Sequence, residues 1–273
     1  MSVRVIKAHA YGNDFLFVPA ADVAGPGRRD GLADLARRMC HRHHGVGGDG
    51  LIVYELRPGG ATMQLLNADG SASELSGNGL RCLAALVARV QNLTAGASVL
   101  VDTDAGAKRL ELMNRDGERY TFRAAMGAPE DLREENISVA GESIRASVLR
   151  IGNPQCIVLG PLPDAERFHH IGPLLSTHSM FPAGTNVEFA QVEAPDRVRI
   201  LVWERGVGPT TSSGTGSSAS AVAAAAYGGA AREVDVIAPG GTQRVEWRDD
   251  GVYLTGWAEV VFDGHWLPPV VNR

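Results

Sequence analysis

Lysine is almost missing from this chain of 273 residues: of 26 basic side chains only Lys7 and Lys108 are lysines. A pyridoxal-phosphate Schiff base would have just these two anchoring positions, and neither lies in a motif, so no cofactor is expected. Cysteine is scarce as well. Cys40, Cys82 and Cys156 are odd in number and lack metal-ligand spacing, which argues against a disulfide framework and suits a reducing compartment. No apolar run reaches the roughly 18–20 residues of a membrane helix, and the start of the chain has no leader pattern. A cytoplasmic protein without a membrane partner is the expectation. A net charge of −5 leaves no basic excess, which argues against nucleic acid as a partner. His41-Arg42-His43-His44 has no second ligand cluster to complete a metal site; it reads as a helix end, where histidine suits the dipole. Gly45-Val46-Gly47-Gly48 lacks the Lys-Ser/Thr of a phosphate loop.

What the chain does have is glycine, 33 residues of it, and an apolar fraction of 44%, enough for independent cores. The length suggests two domains. Short β-branched runs bounded by Gly, Asp, Asn or Pro recur from Val3–Ile6 to Glu259–Phe262. Three segments read as helices: Asp34–Arg42, Leu80–Val90 and Ser217–Tyr227. The last two are apolar on nearly every side, the mark of a buried helix. Many strands around two buried helices make an α+β fold.

Those two helices reveal an internal repeat. Ser76-Gly77-Asn78-Gly79 precedes the first and Ser213-Gly214-Thr215-Gly216 the second, 137 residues later. Gly12-Asn13 lies 63 residues before Ser76, and Gly152-Asn153 lies 60 before Ser213. Asn67 and Glu204 each stand nine residues before their serine. Three matched landmarks per half imply two halves related by pseudo-two-fold symmetry. The boundary is expected near Phe122–Gly127, where the first run of strands ends before Pro129 and a charged stretch.

Each Ser-Gly-x-Gly puts a hydroxyl and two glycines at the start of a buried helix. The first amides there lack partners and carry partial positive charge, and glycine lets a ligand approach them. Such an end binds carboxylate or phosphate. The alternative is an ordinary serine N-cap. Around the motifs lie Asn13, Asn67, Asn78, Asn153 and Asn186, with Glu204-Arg205 as the adjacent charged pair. Amides donate and accept at once, as a zwitterionic amino acid requires; any single Asn beside Gly is also ordinary turn chemistry. Asp49 reads as a turn or packing residue, and Glu188 as either a strand-face carboxylate or a neighbour of the site.

Eight strings occur in order: His9-Ala10-Tyr11-Gly12-Asn13-Asp14-Phe15, Gly45-Val46-Gly47-Gly48-Asp49-Gly50, Asn67-Ala68-Asp69-Gly70, Gly77-Asn78-Gly79-Leu80-Arg81-Cys82, Gly152-Asn153-Pro154, Gly184-Thr185-Asn186-Val187-Glu188-Phe189, Glu204-Arg205-Gly206-Val207-Gly208 and Gly214-Thr215-Gly216. Together they resemble the diaminopimelate epimerase family over essentially the whole chain. The resemblance implies two pseudo-symmetric β-barrel-like domains, each wrapped around a central helix, with the active site in the cleft between them. Residues 1–122 with 262–273 would form one half, and 123–261 the other. It implies a cofactor-independent homodimeric isomerase whose partner is a small amino-acid substrate, converting LL- to meso-diaminopimelate for lysine and peptidoglycan precursors. By matched position Asn13, Asn67, Asn153 and Asn186 would contact substrate. Gly77-Asn78 and Gly214-Thr215 would hold a carboxylate, and Glu204-Arg205 would bind substrate while Glu204 tunes the acid–base pair.

The family pattern has cysteines before Gly-Asn-Gly and Gly-Thr-Gly, one to take the α-proton and one to return it. Here those positions are Ser76 and Ser213, and the family histidine two residues after Asn153 is Gln155. A thiol titrates near 8.5 and is lowered at a helix start; a hydroxyl is a far weaker acid and needs a neighbouring base. By sequence position Cys82 and Cys156 do not replace the missing thiols, and Glu204 is the one helper the motifs supply. Several readings stay open: an epimerase working through Ser76, Ser213 and Glu204 or through a base the motifs do not mark, an isomerase of another substrate or another isomerisation, an amino-acid-binding protein with impaired catalysis, or an engineered Cys→Ser pair. The further serines Ser212, Ser217, Ser218 and Ser220 favour a natural sequence, and the epimerase reading is preferred.

Overall fold

The computed structural model describes residues 2–23, 31–73 and 76–267. Internal contacts divide the chain into two units, residues 1–123 with 257–273, and residues 124–256. The first contains β1 (Val3–Ala10), β2 (Asn13–Pro19), α1 (Ala20–Val23), α2 (Leu32–Cys40), β3 (Gly50–Arg57), β4 (Gly60–Asn67) and β5 (Ala72–Ser73). It continues with α3 (Gly77–Val90), β6 (Ser98–Thr103), β7 (Gly106–Asp116) and most of β8 (Arg119–Gly127). The second contains β9 (Glu130–Val139), β10 (Glu142–Ile151), β11 (Asn153–Leu159), α4 (Ala165–Ser176), β12 (Asn186–Ala194), β13 (Arg197–Glu204) and β14 (Gly208–Thr210). After these come α5 (Gly214–Tyr227), β15 (Glu233–Ala238) and β16 (Gly241–Arg248). The last strand, β17 (Gly251–Trp266), begins in the second unit and ends in the first.

The two units share one plan. In each, an antiparallel hairpin (β1–β2, β10–β11) leads through a crossover helix to a parallel neighbour (β2–β3, β11–β12). An antiparallel partner follows (β3–β4, β12–β13), then a second parallel pairing reached through the long helix (β4–β6, β13–β15). The fold is α+β, with barrel-like strands wrapped around a central helix. β2, buried from Asp14 to Val18, carries Phe15-Leu16-Phe17-Val18 as a continuous apolar run rather than an alternation.

The central helices are determined by what they must fill. Every residue of α3 from Asn78 to Ala88 is buried, with Leu83, Leu86 and Val87 fully enclosed. Burial of each such aliphatic side chain contributes about 2 kcal/mol. Helix α5 is nearly all small side chains, and Ala219, Val222, Ala223 and Ala224 pack against Ile200, Val202, Val234, Val236 and Val245. Alanine costs no side-chain entropy in a helix and lets the surrounding strands come close.

Two expectations require correction. Helix α4 is not among the three sequence-read helices because Gly172-Pro173 interrupts it. Asp164 caps it by accepting from the Arg167 amide at 2.8 Å, and Gly172 leaves room for the Trp203 ring, so tertiary packing overrides the breakers. The charged stretch is also a strand: β8 ends at Gly127, and β9 begins directly after Ala128-Pro129. β9 runs through the charged stretch and pairs with β10, its charges lying along an exposed face and bridging strands, as in Arg145 to Glu134 at 2.6 Å. Smaller changes occur at helix ends: α2 stops at Cys40, where the His41 ring accepts from the amides of His43 and His44.

A polar clip fixes the first hairpin of unit 1 to the loop after α2. Asp14, 8% exposed, receives Lys7 at 2.8 Å and Arg42 at 2.8 and 3.1 Å. Burial alone would raise its carboxyl, but the bonds from Arg42 and Lys7 prevail and bring it down to about 2. A carboxyl lowered on folding stabilises fully above its unfolded value near 3.8 and loses that contribution as pH falls through about 2. Urea unfolding at stepped pH is therefore expected to show on the order of 2 kcal/mol lost in this window. Asp14→Asn should lack that component while being less stable at neutral pH.

Candidate active site

Helix α3 starts at Ser76, in extended conformation, whose Oγ accepts the amide of Gly79 at 3.1 Å. The first intrahelical bond runs from Leu80 N to the Ser76 carbonyl. The amides of Gly77 and Asn78 therefore have no partner among the described residues, and Gly77 is exposed with open space where a Cβ would stand. Asn78 is 7% exposed; its Nδ2 donates to Asn13 Oδ1 at 3.2 Å, and its own Oδ1 is unpartnered. Asn13, the first residue of β2, is oriented from below. Its amide donates to Asp49 Oδ2 at 2.8 Å, and Asp49 is held in turn by Arg42 at 2.7 Å. Asp49 is thus more than a turn residue: it positions Asn13. Asn67, at the end of β4, is exposed and donates to Ser71 Oγ at 2.9 Å. No hydrogen bond links it to Asn13, Asn78 or Ser76 among the described residues.

Unit 2 repeats the arrangement with different side chains. Ser213, also extended, caps α5 and accepts from Gly216 N at 3.1 Å, while Ser217 N closes the first turn on the Ser213 carbonyl. The amides of Gly214 and Thr215 are left without partners among the described residues. Ser213 Oγ lies 3.4 Å from Thr215 Oγ1. Beneath them is Gln155, fully buried, with its amide orientation assigned from its surroundings. With nitrogen toward Glu188 it donates to both carboxyl oxygens at 3.1 and 3.2 Å and accepts from the Thr215 hydroxyl at 3.2 Å. Gln155 also meets the Asn153 side chain. Glu188 is fully enclosed, and its carboxyl occupies the place a Cβ on Gly216 would need. Only glycine fits there.

Around this floor, Asn186 is buried and its Oδ1 accepts the Arg205 amide at 2.9 Å, fixing the turn that follows Glu204. The exposed Arg205 side chain donates to the Ala183 carbonyl at 2.9 Å. Glu204 ends β13, and burial pushes its carboxyl above the usual range. Glu188 is pushed up further, by burial first and then by the charge of Glu204. Such a lifted pair is a frequent feature of acid–base sites. The native thiols are no substitutes. Cys82 and Cys156 are fully enclosed with thiols pushed up by burial, and burial together with Asp14 and Asp49 pushes Cys40 up to about 12.

Sequence position alone admits two readings for Glu188 and offers Glu204 as the one helper. The structure puts Glu188 beside the unit 2 serine cap. The missing signal was strand register: only the parallel pairing of Gln155 with Asn186 sets Glu188 two residues along, under the helix start. Gly216 was the available hint, since a glycine at the third helical position marks a close approach.

Comparison with known proteins agrees along the length of the chain. The family described as diaminopimelate epimerase matches residues 5–131 and 147–261. The diaminopimelate epimerase of Desulforudis audaxviator (strain MP104C) is 44% identical over 96% of this chain and 98% of its own. That of Desulfitobacterium hafniense (strain DSM 10664 / DCB-2) is 38% identical over 96% and 97%. Among solved structures, a predicted epimerase from Pseudomonas aeruginosa shares the fold with a TM-score of 0.72 at 14% identity, covering 98% of this chain and 100% of that one. A hydroxyproline epimerase from Agrobacterium vitis does so at 0.67 and 18%, covering 97% and 90%. The chain belongs to the diaminopimelate epimerase family.

Proposed function

We propose that the protein is a cofactor-independent isomerase that interconverts LL- and meso-diaminopimelate, with Ser76 and Ser213 as its two proton-transfer groups. The observation that carries this reading is the pair of serine-capped, glycine-cleared helix starts, one in each unit of a chain whose family is established. Epimerisation removes the α-proton from one face of the carbon and returns a proton to the other, so it needs two such groups. One accepts the proton as the C–H electron pair passes to the α-carbon; the other gives up its proton to form the new C–H bond. The unpartnered amides of Gly77, Asn78, Gly214 and Thr215 suit a carboxylate that becomes more electron-rich as the α-carbon loses its proton. Asn13, Asn67, Asn153, Asn186 and Arg205 are assigned to substrate binding. Glu204, lifted by burial, is assigned to receive the Ser213 proton. The reading includes a cytoplasmic homodimer, on the strength of the resemblance and the scarcity of cysteine. Independence from pyridoxal phosphate is supported by Lys7, which is engaged by the Gly47 carbonyl and Asp14, both at 2.8 Å.

Incubation with LL-diaminopimelate in heavy water is expected to place deuterium at the α-carbon as the meso isomer forms. Ser76→Ala and Ser213→Ala should each reduce the rate by about 100-fold or more; exchange no faster than in Glu204→Gln would count against the assignment. Introducing Ser76→Cys and Ser213→Cys together should raise the epimerisation rate by about 100-fold or more, because thiols titrate far nearer neutrality than hydroxyls. A folded double variant with no gain would mean that diaminopimelate is the wrong substrate. Calorimetric titration with both stereoisomers would then separate retained binding from none.

A further inference from the structure

The two helix starts share a plan but stand on floors of opposite character. In unit 1 the parallel register sets Phe15 opposite Gly50, with Ile52 two residues on; in unit 2 it sets Gln155 opposite Asn186, with Glu188 two residues on. Phe15 and Ile52 therefore occupy the places of Gln155 and Glu188. The glycines confirm the equivalence. A Cβ on Gly79 would meet Ile52 Cδ1 at 3.0 Å and Phe15 Cε1 at 3.5 Å, whereas one on Gly216 would strike the Glu188 carboxyl. A second difference lies five residues after each serine. Ser218 donates to the Gly214 carbonyl at 2.9 Å, but the matching Arg81 is a cation only 4% exposed. Its Nη1 is unpartnered, its guanidinium lies 5.6 Å from the Tyr11 ring centre, and no carboxylate pairs with it among the described residues.

We propose that these floors give the resting protein a proton-transfer polarity: Ser213 accepts and Ser76 donates, with Glu188 and Arg81 as the positioning residues that set the two proton affinities. This deepens, and rests on, the reading of both serines as proton-transfer groups. In unit 2 the hydrogen-bond directions follow from one another. The Gln155 nitrogen faces Glu188, so its oxygen faces Thr215 and accepts from that hydroxyl. The Thr215 hydrogen is thereby committed, so its oxygen accepts from Ser213, whose own oxygen accepts from Gly216 N. The Ser213 proton thus starts a chain that ends on a buried carboxyl, which raises the affinity of that oxygen for protons. In unit 1 the Ser76 oxygen also accepts an amide, but hydrocarbon lies behind it and its hydrogen has no acceptor among the described residues. A buried cation five residues along the same helix favours the oxygen once its proton has gone. The titratable groups coupled to Glu188 are Glu204 on β13 and Cys156 on β11; α5 brings only amides and uncharged side chains.

Single thiol reporters test this without substrate. The full-length Ser76→Cys and Ser213→Cys variants are titrated by iodoacetamide alkylation across pH, the three native cysteines being buried. The thiol of Ser213→Cys is expected to titrate about one unit or more above that of Ser76→Cys. Adding Glu188→Gln should lower the first by about one unit and leave the second unmoved. Thr215→Val cuts the chain without touching Glu188 and should act in the same direction, which keeps the test decisive if Glu188→Gln does not fold. Arg81→Gln should raise only the thiol of Ser76→Cys. The proposal is overturned if the two thiols titrate together, or if Thr215→Val leaves the thiol of Ser213→Cys unmoved. Since no turnover is measured, the polarity can fail while the epimerase reading stands, and the heavy-water exchange can fail while the polarity stands.

Discussion

A helix that begins inside a strand-wrapped core faces a fixed electrostatic problem, because its first amides point out of the helix with no backbone acceptor ahead of them. Both central helices of this protein solve it only in part. Ser76 and Ser213 take up the amides of Gly79 and Gly216 and leave the two before them without partners among the described residues. Much of the local sequence follows from this. Gly77 has open space beside it, and the third position is glycine in both helices because side chains of the neighbouring strands press against the helix there. Small residues then dominate α5 because the surrounding strands leave room for little else.

Backbone plan and side-chain chemistry have separated between the two units. The order of hairpin, crossover, parallel strand and central helix is the same in both, and the serine caps adopt nearly the same backbone angles. Yet the equivalent positions hold Phe15 and Ile52 in one unit and Gln155 and Glu188 in the other. A carboxyl in a fully enclosed place is destabilising unless its polar neighbours compensate. Gln155 donates to both of its oxygens, and accepting from the Thr215 hydroxyl keeps that amide from turning. The apolar pair in unit 1 needs no such support. What Asn13 needs there is orientation, and the Asp49–Arg42–Asp14 clip supplies it from outside the helix.

The strands were legible where β-branched runs alternate with turn residues, and the central helices where apolar residues cover every side. Helix α4 was not, because Gly172-Pro173 breaks the pattern that Phe168, Ile171 and Leu175 make on its buried face. Strand β9 was hidden by its charges: one face of it is solvated, and Glu-Asp-Leu-Arg-Glu-Glu reads as a linker until cross-strand partners are known. At the site, the serines, the glycines and Asn78 could be named from spacing alone. Glu188 could not be placed, since a carboxylate within Asn-Val-Glu-Phe is equally suited to a solvent-facing strand position. Its burial depends on a parallel register between strands about thirty residues apart, and a linear pattern does not encode that pairing.

A hydroxyl in place of a thiol changes what the surroundings must provide. A thiol near a helix start can be ionised at working pH by the dipole alone, so the group beneath it need only be tolerant. A hydroxyl gains too little from the same dipole and must pass its proton to something with real affinity for it. Unit 2 has two carboxyls, Glu188 under the cap and Glu204 at the end of the adjoining strand, both raised above the usual carboxyl range by burial. Among the described residues unit 1 has no carboxyl under its cap: Phe15 and Ile52 lie there, and the buried Arg81 follows in the same helix. A hydroxyl so placed is poorly suited to accept a proton but well suited to release one, because the cation steadies the oxygen left behind. The chemistry that two like groups could share symmetrically is thus divided by the floors beneath them.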